Sequence, residues 1–448
     1  MSIVRSIFFV ILMLGVLATI HELGHYFVAR LLKIKVYEVS IFVGPKLVKW
    51  KRNGVDFSIR LIPIGAYVRF SDVDEEGYVV ESDDPELLVN QPRIKRLLVA
   101  LAGPVMNFIL GTLIFLCMFC ATGYTSTDIS VPSEGTQTGA VASMYTPGDP
   151  IKKVNGKSVY SVYDLIFEMD CTDPGEVMTL TLKSEETGEN YEIELTPEFK
   201  TRPMLLITVE SMSTDNEYNG WKIYSVDEEQ NDGNPVLKKD DYVTHINGVS
   251  VADEGFDDFM YSLTDDVLTV TYVRDGKTED AEIIPVYQDY VSSRGLALVP
   301  YKVNSFHNFC EAFGFAAKMP ASIWNLTVRG IREFFKGKVE PYNLVSGPIG
   351  ITTMVNDVVA DEEDTTSDKI YVLIMLSAVI SIALAFSNLL PIPGLDGIQI
   401  ILIVVEMVIG RKLSKKAEER MTVIGFVMII LLVVLALVSD VLRIFLGY

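Results

Sequence analysis

Polar and apolar positions divide the chain into greasy ends and a charged, alternating middle. Apolar residues run from Ser6 to Ile20, and a helical pattern continues through His21–Ala29. Further apolar runs cover Leu97–Tyr124, Ile370–Leu395 and Met421–Ser439. Each reaches or nears the roughly 20 residues that a helix needs to cross a hydrocarbon core. Four membrane helices are therefore predicted, at about 4–30, 97–120, 370–390 and 421–443. The first follows Arg5 as a signal peptide would, but it has no small-x-small cleavage site and carries polar residues deep inside; it reads as uncleaved. From Phe306 to Lys338, Phe residues and Trp324 interleave with Lys318, Arg329, Arg332 and Lys336. Such a stretch suits helices in the membrane interface or packed on the membrane domain, and Pro320 is expected to break it in two.

The middle of the chain alternates instead. Gly148-Asp149-Pro150-Ile151-Lys152-Lys153-Val154-Asn155-Gly156 aligns with Asp240-Asp241-Tyr242-Val243-Thr244-His245-Ile246-Asn247-Gly248. Each copy reads as a strand, an Asn-Gly turn and a second strand. A helix-like segment and two more strands follow each: Val177–Lys183 with Tyr191–Leu195, and Val267–Arg274 with Ala281–Val286. Agreement over four successive elements predicts two related small β-rich domains, at 121–208 and 209–300. The phrase Gly-Asp-x-Ile-x-x-Val-Asn-Gly resembles circularly permuted bacterial PDZ domains, although neither copy has a clear Gly-Leu-Gly-Phe carboxylate-binding loop. Binding of free peptide C-termini is not implied.

Charge sharpens this division. The net charge is −21 with a mean hydropathy of +0.30. Residues 121–300 hold 12 Lys and Arg against 34 Asp and Glu, so essentially the whole excess is there. A water-exposed acidic insert between two membrane halves accounts for both numbers, and excludes a compact soluble enzyme and a nucleic-acid binder. Basic residues crowd the 30–96 and 411–420 connections, which predicts that these face the cytoplasm and that the acidic insert faces outward. Four cysteines form no disulfide framework, and Cys117 and Cys120 read as thiols of a membrane helix.

Two of the four histidines stand four residues apart, in His21-Glu22-Leu23-Gly24-His25. That spacing stacks both imidazoles on one helix face, where they can hold one metal, and puts Glu22 beside the open position as a general base. A bound zinc lowers the pKa of its water to roughly 7. Polar residues in an apolar span are costly unless paired or liganded; a structural polar patch between helices is the other reading. A third ligand must lie at similar depth. Asp396 follows the helix-breaking run Asn388-Leu389-Leu390-Pro391-Ile392-Pro393-Gly394-Leu395 and is the only charge between Lys369 and Glu406. Broken backbone at that depth is tolerated where it lines a cavity, though Asp396 could also serve as a helix cap. Two His and a carboxylate favour zinc.

Together, His-Glu-Leu-Gly-His and Asn-x-x-Pro-x-Pro-x-Leu-Asp-Gly resemble the site-2 protease family of intramembrane zinc metalloproteases, in its bacterial branch with extracytoplasmic PDZ domains. Gly44-Pro45-Lys46-Leu47, Ile62-Pro63-Ile64-Gly65-Ala66-Tyr67-Val68, Ala102-Gly103-Pro104-Val105-Met106-Asn107-Phe108 and Ser346-Gly347-Pro348-Ile349-Gly350-Ile351 extend the likeness. The resemblance implies that His21, His25 and Asp396 bind one Zn2+ and that Glu22 is general base and proton donor. It implies that Asn388 lies beside the substrate backbone and that 36–70 is a membrane-associated β-structure, whose Gly65, Ala66, Tyr67 and Val68 position an unwound substrate. Phe57–Leu61 and Tyr67–Phe70 read as short strands around a Pro-Ile-Gly-Ala turn, in which Ala66 stands where the family has a second Gly; an Ala forced to positive φ would be strained.

The expected fold is thus a polytopic α-helical membrane protein with about four transmembrane helices, a β-structure after the first, and an inserted pair of PDZ-like domains. Its parts are 1–120, 121–208, 209–300, interfacial helices in 301–340, and 341–448. The resemblance further implies a multi-pass protein of the bacterial inner membrane with its active site toward the cytoplasm. Its partners would be the lipid bilayer and single-span substrates already trimmed by another protease, such as anti-sigma factors or remnant signal peptides, with the outer domains as a filter. The alternative is a non-proteolytic membrane scaffold or chaperone.

Overall fold

Long apolar segments must satisfy every backbone group internally, and α1 (Ser2–Leu31) does so as one helix. A hairpin of β1 (Glu38–Arg52) and β2 (Val55–Arg69) follows, then α2 (Arg93–Thr122). The middle of the chain contains β3 (Tyr124–Ser130), β4 (Ile151–Val154), β5 (Lys157–Ser158), α3 (Val162–Asp170), β6 (Met178–Lys183) and β7 (Asn190–Leu195). It continues with β8 (Glu198–Met204), β9 (Ile207–Val209), β10 (Trp221–Val226), β11 (Tyr242–Ile246), β12 (Val249–Ser250) and α4 (Phe256–Ser262). Next come β13 (Leu268–Arg274), β14 (Lys277–Ile283), β15 (Val286–Ser293) and β16 (Ala297–Tyr301). Last are α5 (Phe306–Phe335), α6 (Thr366–Leu389) and α7 (Asp396–Ile409). This computed structural model describes residues 2–71, 82–130, 145–209, 214, 216–293, 297–336, 352, 355, 366–392 and 394–411, with the isolated positions 423, 427, 430 and 434. Those residues form two compact units, one within Met1–Tyr124 and Pro300–Asp440, the other within Thr125–Val299.

Among the described residues of the first unit, three helices are long and apolar enough to cross a membrane: Ser6–Leu31, Arg93–Thr122 and Lys369–Leu389. The fourth span expected at 421–443 lies outside the described residues, apart from helical Val423, Val427, Ile430 and Val434, as does the Ser346–Ile351 phrase. Small residues set the helix packing, as expected where lipid supplies no hydrophobic drive. A side chain on Gly24 of α1 would meet the Ala102 carbonyl of α2, and one on Gly111 of α2 would meet Ile382 of α6. Phe115, Ala316, Met319, Ala378 and Ile382 join α2, α5 and α6 in one core, with Trp324 against Phe386. Cys117 and Cys120 lie on the face of α2 that this core leaves uncovered.

Three sequence expectations change here. α5 runs unbroken through Pro320: proline forfeits one helical hydrogen bond, and the burial of Ala316, Met319 and Ser322 around it holds the helix together. The run after Pro391, which lies between the helices expected at 370–390 and 421–443, becomes the apolar α7, which begins at Asp396. The two short strands expected near 57–70 are one strand, β2, that pairs with β1 twice: Val39–Ile41 lie between 57–59 on one side and 66–68 on the other. Positive φ in the intervening turn falls on Gly65 at +66°, and Ala66 avoids it, so the Ala is unstrained.

The second unit contains a four-stranded sheet, order β5-β4-β6-β7, and a sheet with the path β14-β13-β11-β10-β9 to which β12 adds beside β11. β15 pairs with β8 and β16 with β3. The β4–β5 and β11–β12 turns are alike: Asn155 and Gly156, then Asn247 and Gly248, all have positive φ, the conformation that Asn-Gly hairpins require. Each sheet has its own apolar core, one around Leu180 and Met169, the other around Ile246 and Val270.

Candidate metal centre

His21 and His25 lie on one face of α1, and α7 brings Asp396 to them after the interruption between helices that contains Pro391 and Gly394. The three ligand atoms form a small triangle. His21 Nε2 and His25 Nε2 are 3.2 Å apart, and Asp396 Oδ2 lies 2.9 Å from the first and 3.3 Å from the second. Both histidines are 7% exposed.

His25 Nδ1 donates to the Val99 carbonyl of α2 at 2.7 Å, which leaves Nε2 as a lone pair. That lone pair faces another imidazole and a carboxylate oxygen, and Asp396 Oδ2 is buried without a hydrogen bond of good geometry. When His21 also presents its Nε2 lone pair, these converging acceptors repel unless a cation sits among them. Their spacing also suits zinc, because bonds of about 2.0–2.1 Å at tetrahedral angles separate ligand atoms by about 3.3 Å. Among the described residues, His21, His25 and Asp396 are the group able to hold a metal.

α2 closes the third side. A Cβ on Gly103 would collide with His25 Nε2 and His21 Nε2, so only glycine leaves the space in front of the imidazoles open. Pro104 follows it and costs the helix one hydrogen bond in the same turn.

Glu22 points to the hairpin, where its Oε2 accepts the Val68 N–H at 3.0 Å. Segment 66–69 of β2 is paired with β1 along one side, and this amide lies on its other side. Tyr67 takes a hydrogen bond from Arg60 at 2.6 Å, and Arg60 also reaches Glu38 at 3.2 Å. Gly15, two turns before Glu22 on α1, has no side chain to keep out the Pro63 carbonyl and the Phe42 ring, which brings the hairpin against the helix. The structure thus joins Val68 to Glu22, with Gly65, Ala66 and Tyr67 as its neighbours in β2. It does not join Asn388, which is half-buried near the end of α6 and has no hydrogen bond to Glu22 or the triad among the described residues.

Comparison with known proteins identifies the family of the chain. The profile of peptidase family M50 matches residues 9–432, nearly the whole chain. The chain belongs to peptidase family M50. Relatives of this M50 peptidase include a protein of Clostridium acetobutylicum, provisionally named a zinc metalloprotease, that is 36% identical over 46% of this chain and 58% of its own length. Proteins with the same provisional name from Neisseria meningitidis and Vibrio cholerae are 26% and 28% identical, each over 96% of this chain and 97% of their own. This M50 peptidase is accordingly a membrane zinc metalloprotease.

Sequence reasoning quoted Gly103 and Asn107 within a family-like phrase without giving either a role, and it passed over Val99. Their common signal was the spacing of four, 99, 103 and 107, which sets all three on one face of α2.

Proposed function

We propose that this zinc metalloprotease is an intramembrane endopeptidase that cuts single-span membrane proteins within or near their transmembrane segments. The observation that carries the reading is the convergence of His21, His25 and Asp396 between apolar helices, with Glu22 beside them. His21, His25 and Asp396 hold one zinc per chain. Zinc, when bound, supplies the Lewis acidity that acidifies water and polarises a peptide carbonyl. Glu22 takes the proton of the attacking water and delivers it to the leaving amine.

A peptide bond in a membrane helix is shielded by its own hydrogen bonds, so the enzyme must unwind the helix and offer replacements. Segment 66–69 of β2 supplies them through strand addition along its open side. Asn388 contacts the freed carbonyls. Residues 121–208 and 209–300 act as outer PDZ-like domains that admit substrates already trimmed by another protease, such as anti-sigma factors or remnant signal peptides. The protein resides in a bacterial inner membrane with the active site toward the cytoplasm and the acidic insert outside; the basic 30–96 connection supports that orientation. A scaffold with a vestigial site is disfavoured, because Glu22 and Asp396 are both intact and the family is proteolytic.

The test is cleavage of a short single-span substrate in detergent by the purified protein and by Glu22→Gln, with zinc measured in both. Cutting within the span by the parent alone, with equal zinc in the two, is expected. Cleavage by Glu22→Gln at the parent's rate, or cleavage confined to soluble peptides, would overturn the reading.

A further inference from the structure

Asn107 is fully buried on α2, one turn beyond Gly103, and the ligand set does not use it. Its Nδ2 stands 3.4 Å from His21 Nδ1, and its Oδ1 is buried without a hydrogen-bond partner. This orientation conflicts with His21 as a ligand through Nε2. A neutral imidazole that offers its Nε2 lone pair carries its proton on Nδ1, and that N–H needs an acceptor. The amide nitrogen would set donor against donor while the oxygen stays stranded. A half-turn about the Asn107 Cβ–Cγ bond exchanges the two atoms in place, which removes the clash of donors and gives the stranded oxygen the His21 N–H as its partner.

We propose that Asn107 is a positioning residue of the metal centre: its Oδ1 accepts the His21 Nδ1–H, fixing the tautomer and ring plane that aim Nε2 at the metal. The inference rests on the ligand assignment above. It makes α2 a template for the two imidazoles of α1. Val99 and Asn107 lie one turn to either side of Gly103, so an acceptor for His25, an open space and an acceptor for His21 follow one another on a single helix face. Ser381 Oγ of α6 donates to the Asn107 backbone carbonyl at 2.9 Å, tying this turn to the helix that leads to Asp396. Outer partners of this kind typically contribute 10–100-fold to metal affinity.

Zinc affinity of the detergent-purified full chain, measured by competition with a chromophoric chelator, tests this. Asn107→Leu removes the acceptor at similar volume and is expected to weaken zinc binding about 10–100-fold. Asn107→Asp keeps an acceptor and is expected to stay within about threefold of the parent, a rescue that a packing role would not give. If Asn107→Leu does not elute as folded protein, Asn107→Ala carries the same expectation. His25→Ala tests the ligand assignment separately: if it retains the parent's affinity, that assignment fails. If His25→Ala loses zinc while Asn107→Leu or Asn107→Ala holds it like the parent, the role of Asn107 fails. Equal weakening by Asn107→Asp and Asn107→Leu overturns it too, since only the shape of the side chain would then matter.

Discussion

A single methyl group decides whether the metal centre can exist. Gly103 of α2 faces both Nε2 atoms so closely that a Cβ there would occupy their meeting point. Gly103→Ala is expected to purify with less than about a tenth of the parent's zinc while retaining its helical circular dichroism, since small residues in a membrane helix govern approach rather than helix formation. Zinc content by elemental analysis checks this, and full occupancy in Gly103→Ala would refute it. Removing zinc should also lower thermal stability, because His21, His25 and Asp396 are left as an unneutralised cluster of acceptors. At free zinc about 100 times the dissociation constant, binding contributes about 2.7 kcal/mol, so the melting temperature should fall when a chelator is added and recover when zinc is restored. The same shift in Asp396→Asn would count against the carboxylate as a ligand.

At the scale of elements, the β1–β2 hairpin combines a polar network with the strand that reaches Glu22. Glu38 is 7% exposed and pairs with Lys46 at 2.8 Å, Arg60 at 3.2 Å and Arg69 at 3.6 Å. Burial alone would raise its carboxyl, but the hydrogen bonds and charges of Lys46 and Arg60 outweigh that and hold it below the ordinary carboxylate range. A carboxyl whose pKa is lower folded than unfolded adds stability above the unfolded value of about 4.5, and this is lost as pH falls through the folded value. The hairpin should therefore loosen below about pH 4.5 in the parent, while Glu38→Gln should be weaker at neutral pH by about 1–3 kcal/mol and lack that acid step. Trp50, stacked on Phe57 with ring centroids 5.4 Å apart, reports it by fluorescence once Trp221 and Trp324 are replaced by Phe. An identical acid step in Glu38→Gln would remove Glu38 from the account. Little of this hairpin was legible in the sequence. Its short strands were, because apolar and polar residues alternate at 57–61. Its double pairing was not, since that depends on Phe42 taking φ of +66° inside β1 and on Gly15 letting the turn against α1, neither of which leaves a periodic signal. The convergence of His21, His25 and Asp396 was readable for the opposite reason. Helical spacing and isolation in apolar surroundings are both one-dimensional features, whereas the roles of Val99, Gly103 and Asn107 exist only once α2 lies across α1.

Over the whole molecule, a metal centre shared by α1 and α7 works only if the two ends of the chain are held in register. Among the described residues, an ion pair between α2 and α7 spans that separation. Arg96, at the start of α2, donates to Glu406 of α7 at 2.7 Å, and Glu406 is 2% exposed. The contact lies on the same helix as Asp396, so it fixes α7 against α2, while Ser381 and Gly111 fix α6 against α2. Its worth depends on what replaces it. Removing one partner of a buried pair costs about 3–5 kcal/mol, because the remaining charge loses its close counterion, while replacing both with apolar side chains of similar size is often neutral or better. Glu406→Leu and Arg96→Met should therefore each lower the melting temperature, and Glu406→Leu the more zinc-dependently, since displacement of α7 carries Asp396 away from His21 and His25. The double variant should regain most of the lost stability and zinc affinity, which a thermal double-mutant cycle with parallel zinc titration would reveal as a coupling of several kcal/mol. Additive losses would mean that α7 is held by its apolar face alone and that the pair is incidental to the metal centre. Coupling would show that Arg96 and Glu406, 310 residues apart in sequence, keep Asp396 beside the two histidines.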